Sequence, residues 1–125
     1  MTENEISYLV RGAIFKVYKK LGPGLLESVY QFELVSELKL LKLEVEEQQP
    51  FYVRNEHNAF VVAYRADIVV NKLLIIEVKS VERLLEVHHK QLLTYLRISG
   101  LKLGLLVNFN SDNILNSIIR KVNNL

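Results

Sequence analysis

The sequence predicts an α/β (α+β) fold in which a mixed β-sheet is flanked by helices. Two segments near the amino-terminal end repeat apolar residues every three or four positions, which is the spacing of one helical face. From about residue 45 the pattern changes to the period of two that strands show. Half of the chain (50%) is hydrophobic and 24% is charged, a balance that favours one domain spanning residues 1–125.

The first predicted helix covers residues 2–21. Thr2 and Glu5 have the spacing of a capping box, and Gly22 supplies the left-handed residue expected after a last helical turn. A second helix is expected from about residue 23 to residue 41, with Gly24 as its cap. Its apolar stripe comprises Leu26, Val29, Tyr30, Leu34, Leu38 and Leu41. Both helices are therefore expected to pack on the core.

Three strands are predicted next, at residues 45–53, 59–70 and 73–79. The first is interrupted by Pro50, residues 55–58 form a turn, and Asn71-Lys72 breaks the chain before the third strand. Because the connections are short, we expect the three strands to form an antiparallel meander. A helix at residues 87–98 would then return the chain, so that a strand at residues 103–109 pairs in parallel.

A last helix is predicted at residues 112–122, with Ser111 or Asp112 as its cap. Its apolar positions share one helical face and comprise Ile114, Leu115, Ile118, Ile119 and Val122. The predicted order is therefore helix, helix, three strands, helix, strand, helix.

Composition excludes several classes of protein. The chain has no cysteine, so it holds no disulfide and no thiolate zinc site. Its longest apolar runs are far shorter than the roughly 20 residues that a membrane-spanning helix needs. The first residues lack the basic and apolar segments of a signal peptide, so a cytoplasmic location is expected. The net charge of +2 permits a polyanionic partner without requiring one.

Two of the predicted strands contain ionisable residues among apolar ones. Asp67 interrupts the second strand, and Glu77 and Lys79 interrupt the third. Such placement costs free energy unless the charge is paired, hydrogen-bonded or bound to a metal. Because side chains alternate along a strand, Glu77 and Lys79 point to the same face.

The connection between these two strands decides whether Asp67 joins the other two residues. A two-residue turn would place Asp67 opposite Ile76, on the wrong face for Glu77. An odd-numbered loop, such as residues 71–73, or a bulge would place Asp67 across from Glu77. A functional acidic site therefore requires an odd-numbered loop or a bulge.

If the three residues converge, the two carboxylates and the backbone carbonyl of Val78 form an oxygen-rich site suited to Mg²⁺ or Mn²⁺. A hard cation there lowers the pKa of a bound water and neutralises charge on a phosphodiester, while Lys79 orients that water or stabilises the developing phosphorane. The alternative is a buried cluster of Asp, Glu and Lys ion pairs that serves only the fold.

The acidic residues and lysine also resemble a known pattern. Asp67, nine intervening residues and Glu77-Val78-Lys79 resemble the D-x(n)-E-x-K core of the PD-(D/E)XK nuclease superfamily, whose restriction-endonuclease-like core has the order αβββαβ. The run Gly24-Leu25-Leu26-Glu27-Ser28-Val29-Tyr30 is similar to the signature of the GxxExxY family, which is placed in that superfamily. Similar segments follow at residues 64–67, 88–96 and 104–110. The resemblance implies Mg²⁺-dependent or Mn²⁺-dependent hydrolysis of phosphodiester bonds in nucleic acid.

The resemblance implies a role for each residue of the acidic core. Asp67, Glu77 and the Val78 carbonyl would bind the metal. Glu27 would support the metal from the second helix, often through water in related nucleases, although it also fits a helix-capping residue that reaches back to free amides. Lys79 would position the attacking water.

Further candidates lie outside this core. Gln91 and Tyr95 are one turn apart on the predicted third helix and resemble the Q-x-x-x-Y element of RecB-like nucleases, which contacts substrate or orients the acids. His88 lies on the same stripe, and its role is left open. Arg65 fits either a phosphate contact or a solvated salt link. Tyr18 stands where many relatives have histidine, which is a departure from the pattern. The other aromatic and imidazole groups interpreted as structural are His57, Tyr64 and His89.

The resemblance also implies partners. We expect a nucleic-acid partner, with DNA ahead of RNA, no membrane partner, and a homodimer that places two sites on two strands. One alternative is a module that keeps the fold and binds nucleic acid or protein without turnover. Its basic footprint would comprise Lys16, Lys19, Lys20, Lys39 and Lys42. Another alternative is a hydrolase of small phosphorylated substrates.

Overall fold

A computed structural model describes all residues 1–125. The helices are α1 (Glu3–Leu21), α2 (Glu27–Leu40) and α3 (Glu86–Ser99), and a short 3₁₀ helix covers Ile114–Ser117. The strands are β1 (Val45–Arg54), β2 (Phe60–Val70), β3 (Leu74–Lys79), β4 (Leu103–Asn108) and β5 (Ile118–Val122). None of the helices combines the length and the apolar character needed to span a bilayer.

The five strands form one sheet in the order β1-β2-β3-β4-β5. Only β3 and β4 are parallel, and every other neighbouring pair is antiparallel. Helix α3 makes the crossover that a parallel pair requires. The predicted meander, the parallel return and the mixed sheet are therefore confirmed.

Helix α1 begins and ends as its sequence predicts. The hydroxyl of Thr2 accepts a hydrogen bond of 3.2 Å from the backbone N–H of Glu5, and the Glu5 carboxylate accepts one of 3.0 Å from the N–H of Thr2. Gly22 follows the last turn with φ of +66° and donates its N–H to the carbonyl of Tyr18. The capping box therefore accounts for the start of this helix.

Helix α2 begins later than predicted, at Glu27 instead of residue 23, so the expectation that Gly24 caps it is wrong. The hydroxyl of Tyr30 donates to the Gly22 carbonyl at 2.5 Å and accepts from the Leu25 N–H at 3.1 Å. These bonds satisfy backbone groups that a longer helix would use. Gly24 has φ of +99°, which a residue with a side chain rarely adopts. Residues 22–26 therefore form a loop folded around Tyr30.

The predicted last helix is wrong. Only Ile114–Ser117 is helical, and Asn113 caps it in place of Ser111 or Asp112, because its side-chain oxygen accepts from the Leu115 N–H at 3.1 Å. The following residues form β5, which pairs antiparallel with β4. Without β5, the buried strand β4 would present an open row of backbone donors and acceptors.

The sheet separates two hydrophobic clusters of unequal size. The larger cluster has 21 buried residues and joins the sheet to α1 and α2, whereas the smaller has 7 and joins it to α3. Helix α3 packs closely on β4 because Gly104 has no side chain: a Cβ there would lie 2.8 Å from the Leu92 Cδ1. The functional groups lie where β2 and β3 meet between these layers.

Candidate active site

The turn between β2 and β3 has the odd number of residues that an acidic site requires. Val70 pairs with Leu74, so residues 71–73 form the connection. Asn71 and Lys72 have left-handed φ angles of 51° and 56°. Asn71 is held by the Glu44 N–H, which donates to its side-chain oxygen at 2.8 Å. The predicted odd-numbered loop is confirmed.

This register brings Asp67 and Glu77 to facing positions. The last paired residues are Ile68 and Ile76, and the next step along each strand is the acidic pair. In place of ladder hydrogen bonds, the carboxylate of Asp67 accepts from the Val78 N–H at 2.8 Å. The N–H of Asp67 donates to the Glu77 carboxylate at 3.4 Å. The strands β2 and β3 therefore separate at the acidic pair and are held there by side chains.

Glu77 lies in an environment that disfavours its charge. It is 6% exposed. Burial, and next the charge of Asp67, raise the pKa of Glu77 to about 9, and the nearby charge of Lys79 only partly opposes this. Two carboxylates this close are stable together when a proton or a cation lies between them.

Lys79 ends β3 on the same face as Glu77 and is half-buried. Its ammonium group forms no ion pair within the chain. Its neighbour across the sheet is Asn108 on β4, and its carbonyl accepts from the Phe109 N–H at 2.9 Å. The lysine is therefore anchored through its backbone, while its charged group is free to contact a ligand.

Glu27 reaches the site from the first turn of α2. Its carboxylate accepts from the backbone N–H of Ser80 at 3.3 Å, and the Ser80 hydroxyl donates to the Leu25 carbonyl at 2.5 Å. The carboxylate makes no hydrogen bond to the amides of its own helix, so the capping interpretation is wrong. Glu27 is thus docked on the residue directly after Lys79.

The Gly-x-x-Glu-x-x-Tyr run therefore has a physical explanation. Gly24 provides the positive φ of the loop, Glu27 docks on the end of β3, and Tyr30 ties the loop through its hydroxyl. The ring of Tyr30 stacks on Phe109, with centroids 4.5 Å apart and planes within 4°. These contacts join α2 to the carboxyl ends of β3 and β4.

Tyr95 lies within the electrostatic influence of the acidic pair. Burial, followed by Glu77 and Asp67, raises the pKa of Tyr95. Its ring stacks on Tyr64, with centroids 3.8 Å apart. Gln91, one turn earlier on α3, is exposed and makes no hydrogen bond to the acidic pair. The structure therefore brings Tyr95 into the surroundings of the acids.

Tyr64 is a neighbour of the site that sequence reasoning treated only as structural. It is buried between the rings of Tyr95 and Phe51, and its hydroxyl donates to the Tyr95 carbonyl at 2.7 Å. Burial and, to a smaller extent, the charge of Glu77 raise the pKa of Tyr64 to about 12. No spacing signal could have found it, because strict alternation places Tyr64 and Asp67 on opposite faces.

The alternation of β2 fails at Asp67. Ala66 packs with the cluster under α3, whereas Ile68, two residues later, packs with the cluster under α1 and α2. Opposite Asp67, Gln48 has a left-handed φ of 49° and stands outside the ladder between two paired neighbours. This irregularity turns β2 at the acidic pair.

Two glutamines that the sequence did not single out complete the site. The Gln48 amide donates to the Asp67 carboxylate at 3.2 Å and to the Gln31 side-chain oxygen at 3.2 Å. The Gln31 amide donates to the Asp67 carbonyl at 3.3 Å and to Glu47 at 3.2 Å. Gln31 lies four residues after Glu27 on one helix face, a spacing that could have indicated it.

Three other candidates have contacts away from the acids. The imidazole of His88 accepts from the Leu85 N–H at 3.0 Å and so caps α3. The Tyr18 hydroxyl donates to the Ser111 carbonyl, and its ring packs against the larger cluster. Arg65 is exposed and forms no ion pair. The Tyr18 side chain therefore holds the loop after β4.

The donor set decides whether a metal fits. No group of three or more His, Asp or Glu side chains lies close enough together to hold a metal ion. Asp67 and Glu77 do lie together, and the second oxygen of Glu77 receives no hydrogen bond from the protein. Two carboxylates with one uncommitted oxygen, beside the Val78 backbone, fit a hard divalent cation whose remaining ligands are water. Glu27 docks on Ser80, three residues beyond Glu77, and is not part of this pair.

Comparison with known proteins gives one match. A family model described as the PD-(D/E)XK nuclease superfamily matches residues 4–121. No curated protein and no solved structure matches the chain. The match therefore spans α1 through β5 and includes every residue of the acidic core.

Proposed function

This chain belongs to the PD-(D/E)XK nuclease superfamily, and we propose that it is a metal-dependent nuclease that hydrolyses phosphodiester bonds. The observation that carries the proposal is the position of Asp67, Glu77 and Lys79. The two carboxylates face each other where β2 and β3 separate, and the lysine follows on the same face. Membership in the narrower GxxExxY family, which rests on the run from Gly24 to Tyr30, stays a prediction.

In this proposal Asp67, Glu77 and the Val78 carbonyl hold Mg²⁺ or Mn²⁺. When bound, such a cation supplies positive charge that polarises the phosphodiester and lowers the pKa of water. Asp67 is oriented for this role because the Val78 N–H and the Gln48 amide each fix one of its oxygens. Burial of Glu77 strengthens its attraction for a cation, since little water competes for the charge.

Lys79 acts on the reacting groups directly. Its ammonium forms no ion pair within the chain, so it can donate hydrogen bonds to the attacking water and to a phosphoryl oxygen. Alternation along β3 places the ammonium on the same face as Glu77. The backbone bond to Phe109 prevents the end of β3 from moving away.

The other proposed participants surround this core. Glu27 supports the metal through water and orients the residue that follows Lys79, through its bond to Ser80. Tyr95 limits the approach of water from the α3 side, and stacking on Tyr64 fixes the position of its ring. Gln91 would contact substrate from the exposed face of α3.

Cleavage by single-residue variants tests the proposal. Glu77→Ala and Lys79→Ala should each lower Mg²⁺-dependent cleavage roughly a hundredfold or more. Glu44→Ala and Lys72→Ala are matched controls, because these two residues form an exposed pair, 3.9 Å apart, at the opposite end of the hairpin. Circular dichroism confirms folding of each variant. Unchanged cleavage by both site variants would refute the proposal.

A second candidate is a module that keeps this fold and binds nucleic acid or protein without turnover. It is favoured by the fact that both Asp67 oxygens already accept hydrogen bonds from the protein. Titration of the chain with Mg²⁺ or Mn²⁺ separates the two candidates. Saturable binding that Glu77→Gln removes supports the nuclease, and a folded chain with no metal affinity supports the binding module.

The proposed substrate is nucleic acid, with DNA ahead of RNA. A panel of matched DNA and RNA, together with mononucleotides, decides this ranking and tests the alternative of a small phosphorylated substrate. The outcome is the relative rate of cleavage across the panel at equal concentration.

The proposed assembly is a homodimer. It is supported by the far end of the β1-β2 hairpin, where Tyr52, Phe60 and Val61 are 55%, 61% and 65% exposed. Exposed apolar residues grouped in this way are typical of interaction surfaces. Sedimentation of the wild type and of Val61→Lys measures the assembly, and a monomer for both would contradict the proposal.

A further inference from the structure

A polar cavity of about 670 Å³ opens at the carboxyl end of β4. Asn108, which neighbours Lys79 across the parallel strands, lines it. Its other walls come from the loop before α3, from the first turns of α3, and from the segment between β4 and β5. Adjacent strands are about 4.8 Å apart, so the cavity begins one strand away from the proposed catalytic lysine. Its volume is within the roughly 300 to 1,000 Å³ of small-molecule sites.

The cavity wall is built from side-chain amides. Asn108 is fully engaged, because its oxygen accepts from the Val81 N–H at 3.0 Å and its amide donates to the Val81 carbonyl at 2.9 Å. In contrast, the side chains of Asn116, Arg83 and His89 form no hydrogen bond within the chain. An asparagine amide offers both a donor and an acceptor, as the edge of a nucleobase does.

The charges of the lining argue against a phosphate site. Arg83 is the single fixed positive charge of the lining, whereas Glu82 and Asp112 contribute two carboxylates. A phosphate group would therefore gain little attraction here, whereas Lys79, one strand away from Asn108, has an ammonium group that forms no ion pair within the chain. The cavity suits the uncharged part of a nucleotide.

We infer that this cavity binds the base and sugar of an unpaired nucleotide next to the scissile phosphodiester, an inference that rests on the proposed function. Asn116 and Arg83 hydrogen-bond the edge of the base. Leu84 and His89 supply surface for its face. The nucleotide is unpaired because pairing would occupy the edge that these groups recognise.

Binding of short oligonucleotides tests the inference without cleavage, in buffer containing a chelator. A fluorescently labelled single-stranded oligodeoxynucleotide should lose roughly tenfold in affinity for Asn116→Ala and for Arg83→Ala. Arg97→Ala is the matched control, since it removes an exposed arginine in the last turn of α3, outside the cavity lining, and should change the affinity little. Both cavity residues are exposed, so the variants should fold.

A second probe separates base recognition from phosphate contact. An abasic oligodeoxynucleotide of equal length keeps every phosphate, so it should bind wild type and Asn116→Ala equally. If Asn116→Ala lost affinity equally for the intact and the abasic oligodeoxynucleotide, the inference would be overturned. It would also be overturned if neither cavity variant lost affinity for the intact one.

The cleavage variants keep this result apart from the proposed function. If Asn116→Ala binds and cleaves like wild type while Glu77→Ala does not cleave, the inference fails and the nuclease proposal stands. If Glu77→Ala and Lys79→Ala cleave like wild type, the nuclease proposal fails whatever the cavity variants show.

Discussion

Asp67 and Glu77 face each other across β2 and β3, one position beyond the last paired residues of these strands. Their approach follows from the number of residues in the turn at the other end of the hairpin. Because side chains alternate along both strands, one residue more or less in that turn would send one carboxylate to the other face. The number of residues in the turn therefore determines whether the two carboxylates meet at the other end of β3.

The length of the turn gives the first prediction. Deleting Lys72 should abolish cleavage and destabilise the chain, because a two-residue turn places Asp67 opposite Ile76 and reverses the buried face of a strand. Inserting two glycines after Lys72 keeps the number odd and should retain activity, at a cost of roughly 0.6 kcal/mol or less for the longer loop. Cleavage assays and thermal unfolding measure both variants. An active deletion variant would contradict the register argument.

The second prediction concerns the pH dependence of stability. The pKa of Glu77 is about 9 in the folded chain, against an ordinary value of 4.5, so between these values the folded state holds a proton that the unfolded state has lost. The contribution of Glu77 to the free energy of unfolding should be fully present below about pH 4.5, and it should be lost progressively as the pH rises toward about 9. In Glu77→Gln this dependence should be weaker, because the amide does not titrate, and its oxygen can still accept from the Asp67 N–H.

Urea unfolding across this pH range, without divalent metal, measures the effect. Glu77→Gln should be more stable than wild type at pH values near 8, and the advantage should shrink as the pH is lowered. Glu44→Gln is the control, since its side chain is exposed. Parallel pH profiles for wild type and Glu77→Gln would show that the burial of this carboxyl has little energetic effect.

The third prediction concerns the loop before α2. Tyr30→Phe keeps the stacking on Phe109 and removes the hydroxyl that bonds Gly22 and Leu25. We expect a loss of about 1 to 3 kcal/mol in the free energy of unfolding, because two backbone groups lose their partner. Tyr8→Phe is the matched control, at a position that is 78% exposed. Equal unfolding free energies for the two variants would contradict the role of the hydroxyl.

The fourth prediction separates the two roles of Glu27. Glu27→Gln keeps an oxygen that accepts from the Ser80 N–H but removes the negative charge. If Glu27 supports the metal, apparent Mg²⁺ affinity should fall roughly tenfold while stability changes by less than about 0.5 kcal/mol. Calorimetric titration and urea unfolding measure the two quantities. A large loss of stability with unchanged metal affinity would assign Glu27 to docking alone.

Much of the fold could be predicted because local patterns and tertiary packing agree. The capping box of Thr2 and Glu5 and the alternation in β2 and β3 each act within a few residues. Asp67, Glu77 and Lys79 were identifiable for the same reason, since a charge within an apolar strand has few physical explanations. The odd-numbered turn followed from the requirement that the carboxylates meet.

The errors arise where one pattern fits two structures. The apolar spacing near the carboxyl end fits both a helical face and a strand, as at Ile118, Ile119 and Val122. The strand forms because its backbone pairs with the otherwise open edge of β4. The start of α2 was misplaced because the Tyr30 hydroxyl replaces hydrogen bonds that a helical turn would otherwise make. In both cases the deciding hydrogen-bond partner lies outside the local pattern, on another strand or in a side chain.

The sequence by itself determined the order of most elements, the three residues of the acidic core and the parity of the turn that unites two of them. Only the tertiary structure decided that β2 turns at Asp67, because this depends on the left-handed backbone of Gln48 across the sheet. It also decided that Tyr64 and Gln31 border the acids. Local spacing determines which face a side chain takes within one element, whereas contacts between elements depend on how the layers pack.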